Sequence, residues 1–245
     1  MFKHILIGLK AYSGAFSLIS KLKLWTYFVV PILISFLVAV FIGLTAYGLS
    51  DNIGNFLANI WIWDWGKSTF TTISSIIGAL VILVIGLILY KHIIMALSAP
   101  FMGPVSEKIE AHLKPLNKKQ EASSFQTLLW RGIRINSRNL VMELLLSVPI
   151  LLLKFIPVIN IFSTILLFLV QAYYAGFGNM DYTLERHFTY KESLHYVRQR
   201  RGLAIGNGIG FLLLLLIPII GVLLVLPLSV TAATINTVES LDDER

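Results

Sequence analysis

Apolar and polar positions along this chain fall into long separate blocks, without the alternation of an exposed strand or the stripe of a surface helix. Four stretches carry no charged side chain: Trp25–Ser50 (26 residues), Ser68–Tyr90 (23), Phe155–Met180 (26) and Gly202–Val238 (37). About 20 helical residues cross a hydrocarbon core of about 30 Å, and an uncharged run of about 18 or more reads as membrane-buried. The pattern predicts an all-α integral membrane protein, one membrane domain over residues 1–245, with two long transmembrane helices at 25–50 and 68–95.

The segments 140–180 and 202–238 read differently. Each is interrupted near its middle by proline, at Ile156-Pro157-Val158-Ile159-Asn160 and Ile217-Pro218-Ile219-Ile220-Gly221. Proline disfavours continuation of the helix before it, so each segment is expected to form a helical hairpin with an apolar tip. The leg Ala204–Ile217 has 14 residues, about 21 Å at 1.5 Å per residue, short of a full crossing. The expectation is two re-entrant, partly penetrating hairpins; the alternative is two further pairs of spanning helices. Leu152–Asn160 aligns without gaps on Leu213–Gly221 at an offset of 61, a hint of an internal repeat. Transporters often build their sites from repeated, broken helices.

Composition agrees with the pattern. Hydrophobic residues make up 56% of the chain and charged residues 13%, against about 25% charged in soluble domains. Mean hydropathy is +0.79, which rules out a disordered chain and argues against a water-soluble globule. There is no cysteine, hence no disulfide framework, thiolate chemistry or Cys-type metal site. The opening Met1–Ile7 faintly resembles a signal peptide, but Lys10 interrupts it and no small-residue cleavage site follows, so no cleavage is expected.

The net charge of +7 is unevenly spread. Residues 1–24 carry +4, residues 107–139 carry +4 and residues 181–201 carry +2, whereas the loop 51–67 carries −1. Lysine and arginine excess in short loops marks the cytoplasmic side. That assigns the basic segments and both termini to the cytoplasm, and the loop with Trp61, Trp63 and Trp65 to the outside. Arg131, Arg134 and Arg138 share a helical face at i, i+3 and i+7, with Ser123 or Ser124 as cap. Such a stripe either concentrates small anions at a pore mouth or pairs with anionic lipid heads at the surface. Arg198, Arg200 and Arg201 precede a glycine series, Gly202, Gly206, Gly208 and Gly210, that reads as close helix packing.

At the hairpin tips, Asn160 and Gly221 stand where returning helices begin, and helix N-termini suit oxyanions. Lys154, one turn earlier, is either an intramembrane site residue or snorkels to the interface. The five histidines have no ligand spacing, and Glu143 is isolated within its apolar segment. No enzyme, metal, cofactor or nucleic-acid partner is expected.

Several motifs then coincide with one family. Ser98-Ala99-Pro100-Phe101-Met102-Gly103-Pro104-Val105-Ser106-Glu107-Lys108-Ile109-Glu110 resembles the Ala-Pro-Phe…Glu-x-x-Glu segment of CysZ proteins, which belong with the etoposide-induced-protein family. Ile156–Asn160 resembles their first hairpin tip. Tyr174, Asp181-Tyr182 and the basic 190–201 stretch resemble the linker, and Ile217-Pro218, Leu226-Pro227 and Thr231-Ala232-Ala233-Thr234 resemble the C-terminal signature. The resemblance implies a homo-oligomeric bacterial inner-membrane sulfate-uptake protein feeding cysteine synthesis, channel-like or proton-coupled. It also implies a Gly-apolar-Arg-Arg sulfate motif before the first spanning helix. Here the stretch reads Ser20-Lys21-Leu22-Lys23-Leu24-Trp25-Thr26, and the arginine pair falls on Trp25 and Thr26.

The expected function is a sulfate permease in which Lys21 and Lys23, with Trp25 and Thr26, capture the dianion. Arg131, Arg134, Arg138, Lys154, Asn160 and Gly221 would supply field or lining to the pore. The alternatives are a non-transporting scaffold that shapes the bilayer through membrane lipids, or a channel for another small anion.

Overall fold

The computed structural model describes residues 1–59, 66–114, 123–154, 156, 159–217 and 220–242. The three loop tryptophans, Lys118, Lys119 and the tip prolines Pro157 and Pro218 lie outside the described residues. Eight helices follow in chain order among the described residues: α1 (Phe2–Lys21), α2 (Trp25–Ala58), α3 (Lys67–Leu113), α4 (Phe125–Leu153), α5 (Asn160–Leu184), α6 (Tyr190–Gln199), α7 (Arg201–Leu215) and α8 (Ile220–Asp242). Five of these, α2, α3, α4, α5 and α8, contain stretches long and apolar enough to cross a membrane. The apolar blocks at 25–50 and 68–95 lie inside longer helices, since α3 continues through Pro100 and Pro104 to residue 113. At 47 residues α3 is about 70 Å long, more than twice a hydrocarbon core.

The chain forms two compact units, residues 35–91 and residues 1–34 with 92–245. In the first, α2 and α3 run antiparallel at close range. A Cβ on Gly86 would meet Ile42, and a Cβ on Gly54 would meet Ser75. Among the described residues of this unit most apolar side chains face outward, including Phe41, Leu44, Ile76 and Leu87, as a lipid-facing surface requires.

The second unit is built around α5 and α7. Ala172 and Gly176 on α5 lie against Ala204 and Gly208 on α7 in a reciprocal arrangement: each glycine faces the backbone carbonyl of the opposite alanine. Small residues four apart on both helices let the backbones touch, the means of close helix approach in lipid. The other side of α7 presents Gly202, Gly206 and Gly210 to His4, Ile5, Gly8 and Tyr12 of α1, again four residues apart on each helix. The glycine series therefore packs α7 between two neighbours. Helix α1 is amphipathic, burying Gly8, Ala15 and Ile19 and leaving Lys3, Lys10 and Lys21 exposed. The Tyr12 hydroxyl donates to the Asn207 carbonyl at 2.7 Å and lies 2.8 Å from Ser229 Oγ, tying α1 to α7 and α8.

Candidate functional site

The corner between α1 and α2 holds the sequence-predicted capture residues. Helix α1 closes with two bonds, Lys23 N–H to the Ser20 carbonyl at 3.2 Å and Leu24 N–H to the Ile19 carbonyl at 3.0 Å. Ile19 and Leu24 are buried. This is a Schellman closure with its hydrophobic contact, and its C′ residue is normally glycine because that position is left-handed. Here the C′ residue is Lys23, at φ +54°. With the motif's arginine pair on Trp25 and Thr26, its glycine falls on Lys23. A lysine therefore occupies the left-handed position of this turn.

Trp25 and Thr26 open α2. The Trp25 indole N–H donates to Ser20 Oγ at 3.2 Å, and its ring meets Phe16 edge-on. Lys21, Lys23 and Thr26 are exposed. A third cation not anticipated from sequence joins them: Lys108 of α3 donates to the Tyr27 hydroxyl at 2.6 Å and lies over that ring.

Behind this corner, three motif segments converge on a buried polar network. The Glu110 carboxylate accepts from Arg186 Nε and Nη2 at 3.0 and 2.8 Å and lies 2.6 Å from His187 Nε2. Arg186 also donates to the Gly103 carbonyl and to Ser106 Oγ. The hydroxyls of Ser106, Thr183 and Thr234 close a triangle with sides of 2.8, 3.2 and 3.1 Å. Tyr182 donates to the Met95 carbonyl at 2.6 Å. Glu143 has a partner after all: His92 Nε2 lies 3.1 Å away, with both side chains buried. An acidic residue inside an apolar helix is the signal that predicts such a partner, though not its identity across 51 positions.

The three arginines of α4 share a helix, capped by Ser124, but not a fate. Arg131 holds Asp181 with two bonds of 3.0 and 2.8 Å, and also donates to the Phe188 carbonyl and Ser193 Oγ. Its charge is committed to a structural pair. Arg134 is exposed and stacks over Tyr190 at 4.0 Å. Arg138 donates to Asn139 Oδ1 at 3.1 Å and lines a cavity. Lys154 caps the end of α4 and is half-buried. Asn160 and Gly221 do stand at helix starts, but their N–H groups donate to the carbonyls of Ile156 and Ile217.

Glu185 follows α5, with its side chain 5% exposed. Burial, reinforced by the neighbouring Asp181 charge, pushes its carboxyl up to about 8, against partial relief from Arg186 and Arg131. A folded-state value above the unfolded one means that the native protein holds the extra proton. Stability then falls as pH rises from about 4.5 to about 8. Thermal denaturation across that range should show a loss on the order of 3–5 kcal/mol. Glu185→Gln should flatten the slope and exceed the parent in stability above pH 8. An unchanged slope in the variant would assign the proton elsewhere.

Fold and site together define a multi-pass helical membrane protein, apolar along its spans. The chain belongs to the family described as Sulfate transporter CysZ/Etoposide-induced protein 2.4, whose model matches residues 11–226. It is similar to the Sulfate transporter CysZ of Pseudomonas syringae pv. tomato, with 28% identity over 160 residues, 63% of each chain. It is also similar to that of Pseudomonas aeruginosa strain LESB58, with 29% identity over 159 residues, 64% of each. The chain thus aligns with less than two-thirds of these relatives' own length.

Proposed function

We infer that this protein carries sulfate across the bacterial inner membrane, with capture at the α1–α2 corner. The observation that carries the reading is the left-handed turn at Lys23, at the position to which the resemblance assigns the sulfate motif, with Lys21 and Lys23 exposed on it and Lys108 held one turn further on at Tyr27. A sulfate dianion is very costly to desolvate, so its route needs fixed donors. Lysine supplies charge as a point donor where arginine would supply a planar fork, so a weaker, less orientation-selective hold is expected here. Arg134 and Arg138 add positive potential near the basic segments, Lys154 adds it at the first helix break, and Asn160 and Gly221 line the helix breaks.

Helices α2 and α3 bury only 17% and 18% of their apolar windows. Assembly as a homo-oligomer, with copies meeting on these faces, is part of the proposal.

Radiolabelled sulfate flux into proteoliposomes tests it, with and without excess sulfite. Saturable flux that sulfite blocks is expected. Lys21→Ala/Lys23→Ala should weaken sulfate capture roughly tenfold or more, since each charge-assisted bond contributes about 1.5–3 kcal/mol. Lys23→Gly should lose capture while keeping the fold, because glycine suits the turn. Flux no greater than in empty liposomes, with folding verified, would reject sulfate transport. Unchanged capture in the double variant would move the site away from this corner.

A further inference from the structure

A cavity of about 560 Å³ opens where α4, α5 and the α6–α7 junction meet, and Arg138, Arg198 and Arg201 all line it. Its lining holds no carboxylate. Among the described residues none of these three arginines lies in an ion pair, in contrast to Arg131 and Arg186. Arg138 is pre-positioned by its bond to Asn139 and by the Phe177 ring beneath it at 5.6 Å. Arg201 Nε donates to the Arg198 main-chain carbonyl at 3.0 Å, which holds the Arg201 side chain against the end of α6. Three guanidinium groups around one space repel one another until an anion enters it.

The rest of the cavity is not polar. On α4 its wall runs Arg138, Met142, Leu146, four residues apart and so along one face. On α5 it runs back from Leu166 through Val170 to Tyr173. The two helices pack together and meet at the break after Leu153. Leu146 and Leu166 therefore mark the end nearer that break, while Arg138 and Tyr173 mark the end nearer the basic segments. The cavity is a trough about 12 Å long, from eight residues of helix, cationic at one end and aliphatic at the other.

A free oxyanion would use only the cationic end. We propose that this trough is a binding site for an anionic glycerophospholipid, its phosphate held by Arg138, Arg198 and Arg201 and an acyl chain laid along Met142, Leu146, Leu166 and Val170. Arginine suits this role because its fork matches phosphate oxygens in pairs. Occupancy joins α4, α5 and the α6–α7 junction through the lipid and relieves the repulsion among the arginines. The site uses neither Lys21 nor Lys23, so it stands whether or not sulfate is captured at the α1–α2 corner.

The test is native mass spectrometry and thermal denaturation of the full-length protein in detergent. Phosphatidylglycerol and phosphatidylcholine of matched chains, and inorganic sulfate, are titrated in separate series. Phosphatidylglycerol should be retained and should raise the melting temperature, with phosphatidylcholine binding at least tenfold more weakly. Arg198→Gln/Arg201→Gln replaces two exposed side chains and should erase that preference while melting like the parent without lipid. Met142→Asp, at the aliphatic wall, should weaken phosphatidylglycerol binding to a similar extent. Equal binding of the two lipids, or a preference that survives the arginine double variant, would overturn the proposal. Displacement of phosphatidylglycerol by millimolar sulfate would overturn it as well, and give the trough to the free anion.

Discussion

Arg131→Ala is expected to destabilise the protein by about 3–5 kcal/mol, because it leaves the Asp181 carboxylate buried without its partner. Asp181 is 4% exposed and receives two of the four bonds that Arg131 donates. The other two secure the Phe188 carbonyl and Ser193, so one substitution loosens α4 from both the end of α5 and the start of α6. The replacement Arg131→Met/Asp181→Leu should recover most of the loss, since exchanging a buried pair for apolar groups is often neutral. Thermal denaturation of Arg131→Met, Asp181→Leu and their double variant gives the coupling directly. If Arg131→Ala melts within a degree or two of the parent, the pair does not hold these helices, and Arg131 becomes available as a field charge for the anion.

The second large effect is at the α5–α7 contact. Gly208→Ala places a methyl group into the Ala172 carbonyl, and Gly176→Ala does the same to the Ala204 carbonyl. Backbone cannot rotate aside as a side chain can, so the helices must separate. Each substitution is expected to cost about 3 kcal/mol, at or above the top of the overpacking range. The double variant should cost less than the sum, because the separation forced by one methyl accommodates part of the other. Gly14→Ala is the control: nothing lies within 4 Å of its would-be Cβ, and an exposed helical glycine gains up to about 1 kcal/mol on replacement by alanine. Additive costs at Gly176 and Gly208, or none, would contradict the close packing described above.

The helical blocks were legible because lipid enforces a simple rule, that uncharged length measures membrane depth. Where charge resumes the rule falls silent. Helix α3 continues for more than a turn beyond Glu107, where Ser106 bonds to Thr183 of α5 and Thr234 of α8 and Glu110 to Arg186 just after α5, which no local pattern announces. Proline was an uneven guide. Pro31, Pro149 and Pro227 sit inside helices, tolerated because neighbouring helices can satisfy what proline frees. The arginine face of α4 was visible as a spacing, but the roles of its members depend on Asp181, Tyr190 and the cavity. Those partners lie far along the chain or in the fold alone: the Arg131–Asp181 pair spans 50 positions. The Lys23 turn was hidden for the opposite reason, since the residue that usually marks a left-handed C′ position, glycine, is missing there.

The bond from Tyr12 to Asn207 joins residues 195 positions apart, and that separation sets the order of assembly. At about 5–20 residues per second of synthesis, α1 emerges roughly 10–40 s before the helix it clasps exists. Through that interval its apolar stripe has only the bilayer surface to rest on. The amphipathic character of α1 therefore serves the nascent chain first, as a float, and the finished fold afterwards, as a clasp.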